Sequence, residues 1–170
     1  DLVNSQHILS GQPLSEVPYP TTYGMLSGIY SYMGGAGMTL GLLIAILWVS
    51  KRKDYREVAK LGLIPAVFNI NEPIIFGLPL VLNPILAVPF ILTPIVSLTF
   101  AYIATVVLKV VAPAGIAVPW TIPGPIQSFL ATGGTWQGLI LGLVCLVSSV
   151  LIYVPFLRAA DMYALKNVDK

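Results

Sequence analysis

Charged residues are scarce in this sequence. Only 9% of its 170 residues are Asp, Glu, Lys or Arg, whereas 56% are hydrophobic. Because a soluble globular protein carries about 25% charged residues, this composition excludes that class and predicts an integral membrane protein. The net charge of +2 is too small to indicate binding to nucleic acid.

Residues that bind metals or act as nucleophiles are also few. The single cysteine, Cys145, lies in an apolar run, so the sequence offers no disulfide and no CxxC metal motif. We interpret Cys145 as a small core residue. The single histidine, His7, has no Cys, His or acidic residue beside it, and we predict a surface or loop role for it. We expect no metal site and no cofactor.

Acidic residues are absent between Glu57 and Asp161, with the exception of Glu72. An ionised carboxylate at the centre of a membrane helix costs roughly 2.5–3.5 kcal/mol, so the first interpretation of Glu72 is a functional site. The alternative is a buried glutamate that pairs with a neighbouring helix for structure. Asn71 adds an amide that both donates and accepts hydrogen bonds. Because Pro73 follows, we predict that Glu72 is extended or in a turn.

The segments on both sides of Glu72 are apolar but short. Residues 61–70 are too few to cross a bilayer, since a spanning helix needs about 20 residues. We predict that residues 61–82 form a re-entrant hairpin with a polar, non-helical tip. Such a backbone is tolerated at membrane depth only where protein buries it or where it lines a water-filled cavity.

The longer apolar runs predict about three spanning helices. The first lies within residues 21–50, the second runs from near Pro94 to Lys109, and the third comprises residues 136–157. A hydrophilic tail follows the third helix. Residues 112–135 contain four prolines and little charge, so we predict an irregular loop that folds back into the protein. The predicted fold class is an all-α polytopic membrane protein with a re-entrant hairpin and an irregular Pro-rich membrane-inserted loop. An irregular descending arm is also predicted, at Pro79, Pro84 and Pro89.

Basic residues are concentrated in residues 51–60 and after residue 157. If residues 61–82 enter and leave on one side, all nine Lys and Arg residues except Lys109 lie on the cytoplasmic side. The positive-inside rule therefore favours the re-entrant hairpin and a cytoplasmic C-terminus. We expect residues 51–60 to be a short basic loop.

Small residues are clustered in the first predicted helix, where residues 34–37 read GGAG. Glycines favour an unwound or kinked backbone. Small residues also let another helix or a ligand approach closely, and the spacing does not separate these two roles. The segment is not a phosphate-binding P-loop, because no Lys-Ser/Thr follows at the required spacing.

Two broken apolar segments that carry polar residues suggest a transporter with a site near the membrane midplane. An indole offers a flat face to a pyranose ring, although a tryptophan at the membrane interface is an equal alternative for Trp120. The polar residues of these segments are Asn71, Glu72, Trp120, Thr121 and Gln127. With one acid and no nearby histidine, this set suits a divalent metal badly and a neutral polyhydroxylated ligand well.

Three motifs carry a resemblance to a known family. Residues 71–77 read NEPIIFG, which is similar to the signature of membrane IIC components of sugar phosphotransferase systems, in the lactose/cellobiose/diacetylchitobiose family. Residues 34–40 resemble the family's GGxGxTL segment, and residues 119–134 resemble its PWTxPxPxxxFLATGG segment. The motifs occur in family order, and the similarity extends over most of residues 20–160.

The resemblance implies that the protein binds a disaccharide and presents its 6-hydroxyl to a phosphocysteine on a separate IIB partner. A β-linked sugar, cellobiose or diacetylchitobiose, is the first expectation, with lactose next. The resemblance assigns Glu72 to hydroxyls near the phosphorylated position, as a base or as a hydrogen-bonding ligand. It places Asn71 beside it, and Trp120 on or beside the sugar. We also include Gly34 and Gly35 among the candidate substrate-binding residues.

The resemblance further implies that residues 1–170 are part of the substrate-binding, C-terminal half of a IIC transporter, without its upstream, dimer-forming half. A homodimer in the bacterial cytoplasmic membrane is expected for the intact protein. The family also uses an upstream histidine, but His7 does not lie in a matching motif. A secondary sugar transporter without phosphoryl transfer remains an alternative, with Glu72 as a proton or cation site. A third alternative is a structural subunit.

Overall fold

The chain folds as a set of helices. The computed structural model describes residues 2–13 and 16–168, and no strand occurs in these ranges. This confirms the predicted all-α class. Short π-helical turns at Gly24–Ile29 and Ile103–Val107 and 3₁₀ turns at Ala36–Met38 and Leu80–Leu82 join the α-helices. These are α1 (Leu2–Leu9), α2 (Thr39–Val49), α3 (Lys53–Val67), α4 (Glu72–Gly77), α5 (Pro84–Tyr102), α6 (Gly124–Ala131) and α7 (Trp136–Val168).

Two stretches among the described residues are long and apolar enough to cross a membrane, Pro84–Val107 and Trp136–Ala164. They correspond to two of the three predicted spans. The third prediction, a spanning helix within residues 21–50, is corrected because the glycine-rich segment divides it. What remains, α2, has 11 residues, or about 17 Å at 1.5 Å per residue, too short to span.

The spanning helix that was predicted to start near Pro94 is α5, which starts ten residues earlier, at Pro84. The side chain of Asn83 caps it, since Oδ1 accepts hydrogen bonds from the backbone N–H of Ile85 (3.1 Å) and Leu86 (3.4 Å). Pro84 occupies the first turn, where no backbone donor is needed. Pro89 and Pro94 lie inside α5. The predicted irregular arm holds near Pro79, where Leu80–Leu82 forms a 3₁₀ turn. From Pro84 onward the prediction was wrong, because neighbouring elements hold α5 helical despite the bonds that proline removes.

The predicted hairpin consists of α3 and α4. A Cβ atom on Gly62 would lie 2.7 Å from Ile74, and one on Gly77 would lie 2.8 Å from Val58, so the two helices run antiparallel. The tip between them is non-helical. Glu72 itself begins α4, which corrects the prediction that it is extended or in a turn. A proline in the first turn of a helix loses no hydrogen bond, so the helix forms in spite of Pro73.

The basic segment predicted as a loop is mostly helical, because α3 begins at Lys53. Its charges are partly satisfied along the helix surface. Arg52 forms an ion pair with Asp54, and Lys60 Nζ lies 2.9 Å from Glu57 Oε1. Glu57 and Lys60 are three residues apart on α3, a spacing at which an ion pair stabilises a helix.

The Pro-rich residues 112–135 contain one regular element, α6, which packs along α7. Gly138 and Gly142 of α7 permit this contact, since a Cβ on either glycine would overlap Thr132 or Ser128. The prediction of an irregular loop holds for residues 112–123. Pro125, in the first turn of α6, does not prevent the helix.

The last helix continues past the predicted end at residue 157 and includes most of the predicted hydrophilic tail. Its end is tied to the segment that follows α2. The carboxylate of Asp161 accepts hydrogen bonds from Ser50 Oγ (3.1 Å) and from the backbone N–H of Lys51 (3.0 Å). Cys145, in the middle of α7, is fully buried, as expected for a core residue.

Candidate functional site

The glycine-rich segment is unwound. Gly34, Gly35 and Gly37 have φ values of 84°, 89° and 72°, which favour residues without a side chain. Unwinding removes the helical partners of the backbone carbonyls, and a buried carbonyl needs another donor. Thr93 Oγ1 of α5 (2.9 Å) and the Tyr153 hydroxyl of α7 (2.6 Å) both donate to the Gly37 carbonyl. The two spanning helices therefore stabilise this conformation.

Asn69, at the tip of the hairpin, is the centre of a hydrogen-bond group that we call the Asn69 clasp. Its Oδ1 accepts from the backbone N–H of Gly34 (2.8 Å). Its Nδ2 donates to the carbonyls of Trp120 (2.6 Å) and Ile122 (3.0 Å). The side chain is 3% exposed and its backbone is left-handed, with φ of 64°. One amide thus joins the glycine-rich segment, the hairpin and the Pro-rich loop.

Asn69 was missed in the sequence analysis. Its partners lie 35 to 53 residues away, so no local pattern reveals them. The available signal was an asparagine two positions before Asn71 in an apolar arm. Asparagine adopts the left-handed conformation more readily than most residues and is costly to bury without partners.

Asn71 lies against the same glycine-rich segment. Its side chain is 5% exposed, and Nδ2 donates to the carbonyl of Ala36 at 3.0 Å. A Cβ atom on Gly35 would overlap the Asn71 amide. The structure thus brings Gly34, Gly35 and Asn71 together, and the absence of glycine side chains makes room for the hairpin tip.

Glu72 differs from the two asparagines because its side chain is exposed. Among residues 2–13 and 16–168, its carboxylate forms no hydrogen bond and no ion pair. Within the described residues, Glu72 is therefore not buried against a neighbouring helix. Beside a buried Asn71, Glu72 presents a free acceptor at the first turn of α4.

Trp120 lies at the edge of a cavity of about 230 Å³. Its indole is 57% exposed, whereas its backbone carbonyl is held by the Asn69 clasp. The lining contains Gln127 of α6 but neither Asn71 nor Glu72. The candidate residues therefore form two groups, one at the hairpin tip and one at the cavity, and Asn69 connects them through the Trp120 backbone.

The N-terminal helix closes one side of this cavity. Asn4 lines it and is fixed by two hydrogen bonds to the Tyr19 backbone, at 2.6 and 3.2 Å. His7 lies on the same helix and is partly exposed, so only the loop part of the predicted surface or loop role is corrected. Its Nε2 atom is buried and has no hydrogen-bond partner among the described residues. His7 does not line the cavity.

A second cavity, of about 730 Å³, lies where the beginnings of α3 and α5 meet the end of α7. The guanidinium of Arg52 lies 3.7 Å from the Tyr55 ring centroid, and Asn83 Nδ2 donates to the Tyr55 hydroxyl at 3.1 Å. The hydrogen bond from Arg52 lowers the pKa of the Asp54 carboxyl. This cavity lies at the charged end of the helices, and its lining includes none of the predicted site residues.

Three comparisons relate the chain to known proteins. Residues 3–94 match the family model of the phosphotransferase system, EIIC. The chain is 47% identical over 140 residues to the cellobiose-specific EIIC component of Lactococcus lactis subsp. lactis (strain IL1403), covering 82% of this chain and 28% of that protein. It is 45% identical over 129 residues to the oligo-beta-mannoside-specific EIIC component of Bacillus subtilis (strain 168), covering 76% and 29%.

The fold is also similar to a solved structure. The transporter ChbC, the IIC component from the N,N'-diacetylchitobiose-specific phosphotransferase system, matches with a TM-score of 0.87 and 35% identity. The match covers 98% of this chain and 38% of ChbC. The chain therefore spans about a third of the length of the proteins it matches.

Proposed function

This chain belongs to the EIIC family of the phosphotransferase system, and from that premise we propose that it forms the substrate-binding part of a bacterial sugar permease. EIIC components are integral proteins of the bacterial inner membrane. The proposed substrate is a β-linked disaccharide, cellobiose or diacetylchitobiose. The names of two similar proteins, one cellobiose-specific and one N,N'-diacetylchitobiose-specific, support that choice.

The observation that carries the proposal is the free carboxylate of Glu72 beside the anchored Asn71. A carboxylate that no protein group satisfies is available to sugar hydroxyls, while the buried amide fixes its position. We propose Asn71, Glu72, Trp120, Gly34 and Gly35 as the substrate-binding residues. In this set Gly35 acts by leaving room for Asn71, and Gly34 acts by donating its backbone N–H to Asn69.

The proposed reaction is phosphoryl transfer from a phosphocysteine of a IIB partner to the sugar. The 6-hydroxyl loses its proton and its oxygen bonds to phosphorus, while the sulfur–phosphorus bond breaks and leaves a thiolate. Glu72 accepts that proton or orients the hydroxyl. A base in such a position typically contributes about 10²–10⁴-fold to the rate. The remaining catalysis consists of positioning and charge stabilisation.

The charged end of the helices is the proposed cytoplasmic face. Lys51, Lys53 and Arg158 are exposed there and suit a partner that carries a phosphoryl group. The C-terminus then also lies in the cytoplasm. We propose further that residues 1–170 are part of the C-terminal half of a homodimeric transporter. The upstream half of that transporter forms the dimer.

A transport assay tests the function. We define the intact transporter as a full-length EIIC protein that contains residues 1–170. In vesicles, uptake of radiolabelled cellobiose or diacetylchitobiose is expected only when phosphorylated IIB is supplied, and the internal product is the sugar phosphate. Uptake of unmodified sugar driven by a proton gradient without IIB would overturn the proposal and indicate a secondary transporter.

A further inference from the structure

Gln127 is a buried polar residue without a partner. It lies in α6, and its side chain is 3% exposed. Its backbone N–H donates to the Pro123 carbonyl at 2.9 Å, but its side-chain amide takes part in none of the hydrogen bonds among the described residues. Three buried asparagines behave differently, since Asn4, Asn69 and Asn71 all bond to backbone groups.

The unpartnered amide faces the cavity that Trp120 borders. Its amide atoms remain accessible, since the buried side-chain atoms without a partner among the described residues are Nε2 of His7 and the hydroxyl of Tyr30. A ligand that enters the cavity therefore meets free amide donors and a free acceptor. The position of Gln127 thus indicates a ligand rather than a structural bond.

The lining of the cavity indicates the class of ligand. It contains no charged side chain, and three glycines, Gly24, Gly28 and Gly115, keep its walls open. The volume of about 230 Å³ lies below the range of roughly 300–1,000 Å³ for drug-sized ligands, so it suits a single ring. A neutral ring with adjacent hydroxyls meets both the donors and the acceptor of an amide, and its apolar face meets an indole.

We propose that Gln127 is a specificity-determining residue that binds the hydroxyls of one sugar ring, which lies in this cavity against Trp120. This inference rests on the proposed function. Since neither Glu72 nor Asn71 lines the cavity, Gln127 binds a part of the disaccharide other than the hydroxyl that receives the phosphoryl group. Gln127 therefore contributes to affinity and to the choice of sugar, not to the chemical step.

The test is Gln127→Met in the intact transporter, because methionine keeps the length of the side chain and removes its polar atoms. Equilibrium binding of the preferred disaccharide is expected to weaken at least about tenfold, or 1.4 kcal/mol. In the phosphorylation assay KM rises by a similar factor while kcat at saturating sugar stays near the unsubstituted value. The apparent melting temperature without sugar is expected to stay unchanged, since the Gln127 amide makes no hydrogen bond to the described residues.

A structural role predicts the opposite pattern, with a lower melting temperature and unchanged sugar affinity, and that result would overturn the proposal. Ser128→Ala serves as the matched control. Ser128 is buried on the same helix, but its hydroxyl donates to the Pro125 carbonyl at 2.9 Å and lies outside the cavity. It is expected to leave sugar affinity unchanged.

Gln127→Glu provides a second variant in case the methionine protein does not fold. It keeps the acceptors and removes the amide donors, so affinity is again expected to fall, and full retention would contradict the proposal. The two proposals fail in different ways. If the unsubstituted intact transporter binds no disaccharide, the proposed function fails. If it binds sugar and both Gln127 variants bind equally well, only the role of Gln127 fails.

Discussion

The side-chain amide of Asn69 donates a hydrogen bond of 2.6 Å to the backbone carbonyl of Trp120, which lies 51 residues later in the chain. The same side chain accepts a bond from the backbone of Gly34. The loop that carries the indole is therefore positioned by the hairpin that carries Glu72. A change at the hairpin tip is expected to reach Trp120 through this contact.

Asn69→Ala is expected to destabilise the intact transporter. It leaves the Gly34 N–H and the Trp120 and Ile122 carbonyls without their partner, and each unsatisfied buried group costs about 1–3 kcal/mol. The apparent melting temperature in detergent should fall, and sugar affinity should fall with it. Asn69→Gly is the control, since it loses the same bonds but fits the left-handed φ of 64°. An alanine variant as stable as the original protein would contradict the role of the clasp.

Gly35→Ala is expected to disrupt the site through overlap with Asn71. Two costs act together, the positive φ of 89° and the contact between the new Cβ and the Asn71 amide. Gly134→Ala is the control, because it introduces a side chain at positive φ without a close contact. Gly134 has a φ of 78°, but its Cβ would meet Phe129 only at 3.7 Å. Both variants place a side chain at positive φ, which costs about 1–3 kcal/mol. Gly35 also has a ψ of −167°, in a region that is essentially restricted to glycine.

Gly35→Ala should therefore lower both the melting temperature and the sugar affinity, while Gly134→Ala should lower the melting temperature alone and by less. Equal effects of the two variants would show that the overlap with Asn71 is not important. Sugar affinity measured by calorimetry and thermal denaturation in detergent distinguish these outcomes.

The contact between α6 and α7 is expected to depend on the small residue at position 142. A Cβ on Gly142 would overlap Ser128 Oγ, so Gly142→Ala should lower the melting temperature. Removing that hydroxyl with Ser128→Ala should restore part of the loss. A double-mutant cycle measures the coupling between residues in contact. Strictly additive effects would contradict the packing described here.

Trp120→Ala is expected to weaken disaccharide binding about five- to tenfold, which corresponds to about 1–1.4 kcal/mol. The reason is the loss of an aromatic face at the rim of the cavity. Trp136→Ala is the matched control, because Trp136 is also exposed, does not line the cavity, and packs against Phe129 with ring centroids 5.5 Å apart. If both variants bind sugar equally, Trp120 has the role of an interfacial tryptophan.

The sequence predicted the class of the fold and the polar tip of the hairpin, because both depend on local composition. It did not predict where α5 begins. Proline spacing reports the hydrogen bonds that a helix loses, but not the neighbours that hold Pro89 and Pro94 in a helix. For the same reason the length of α7 was underestimated, since Asp161 binds the Ser50 region more than 100 residues earlier.

The candidate site shows the same division. Asn71, Glu72 and Trp120 were identified from local motifs, whereas the link between the hairpin tip and the loop of Trp120 depends on Asn69, whose partners are distant in sequence. The separation of the cavity from the hairpin tip was also not predictable. The cavity is lined by residues of α1, by residues within 22–29 and 114–120, and by Gln127 of α6, and no sequence pattern relates these segments.

The most direct test of the account is equilibrium disaccharide binding to the intact transporter with and without Glu72→Gln. Glu57→Gln is the control, because Glu57 is an exposed glutamate that pairs with Lys60 on α3. Cellobiose, diacetylchitobiose, lactose and maltose should be compared. We predict that one β-linked disaccharide binds, and that Glu72→Gln weakens its binding at least about tenfold, or 1.4 kcal/mol, while Glu57→Gln does not. Binding that is unaffected by Glu72→Gln would contradict the placement of Glu72 in the sugar site.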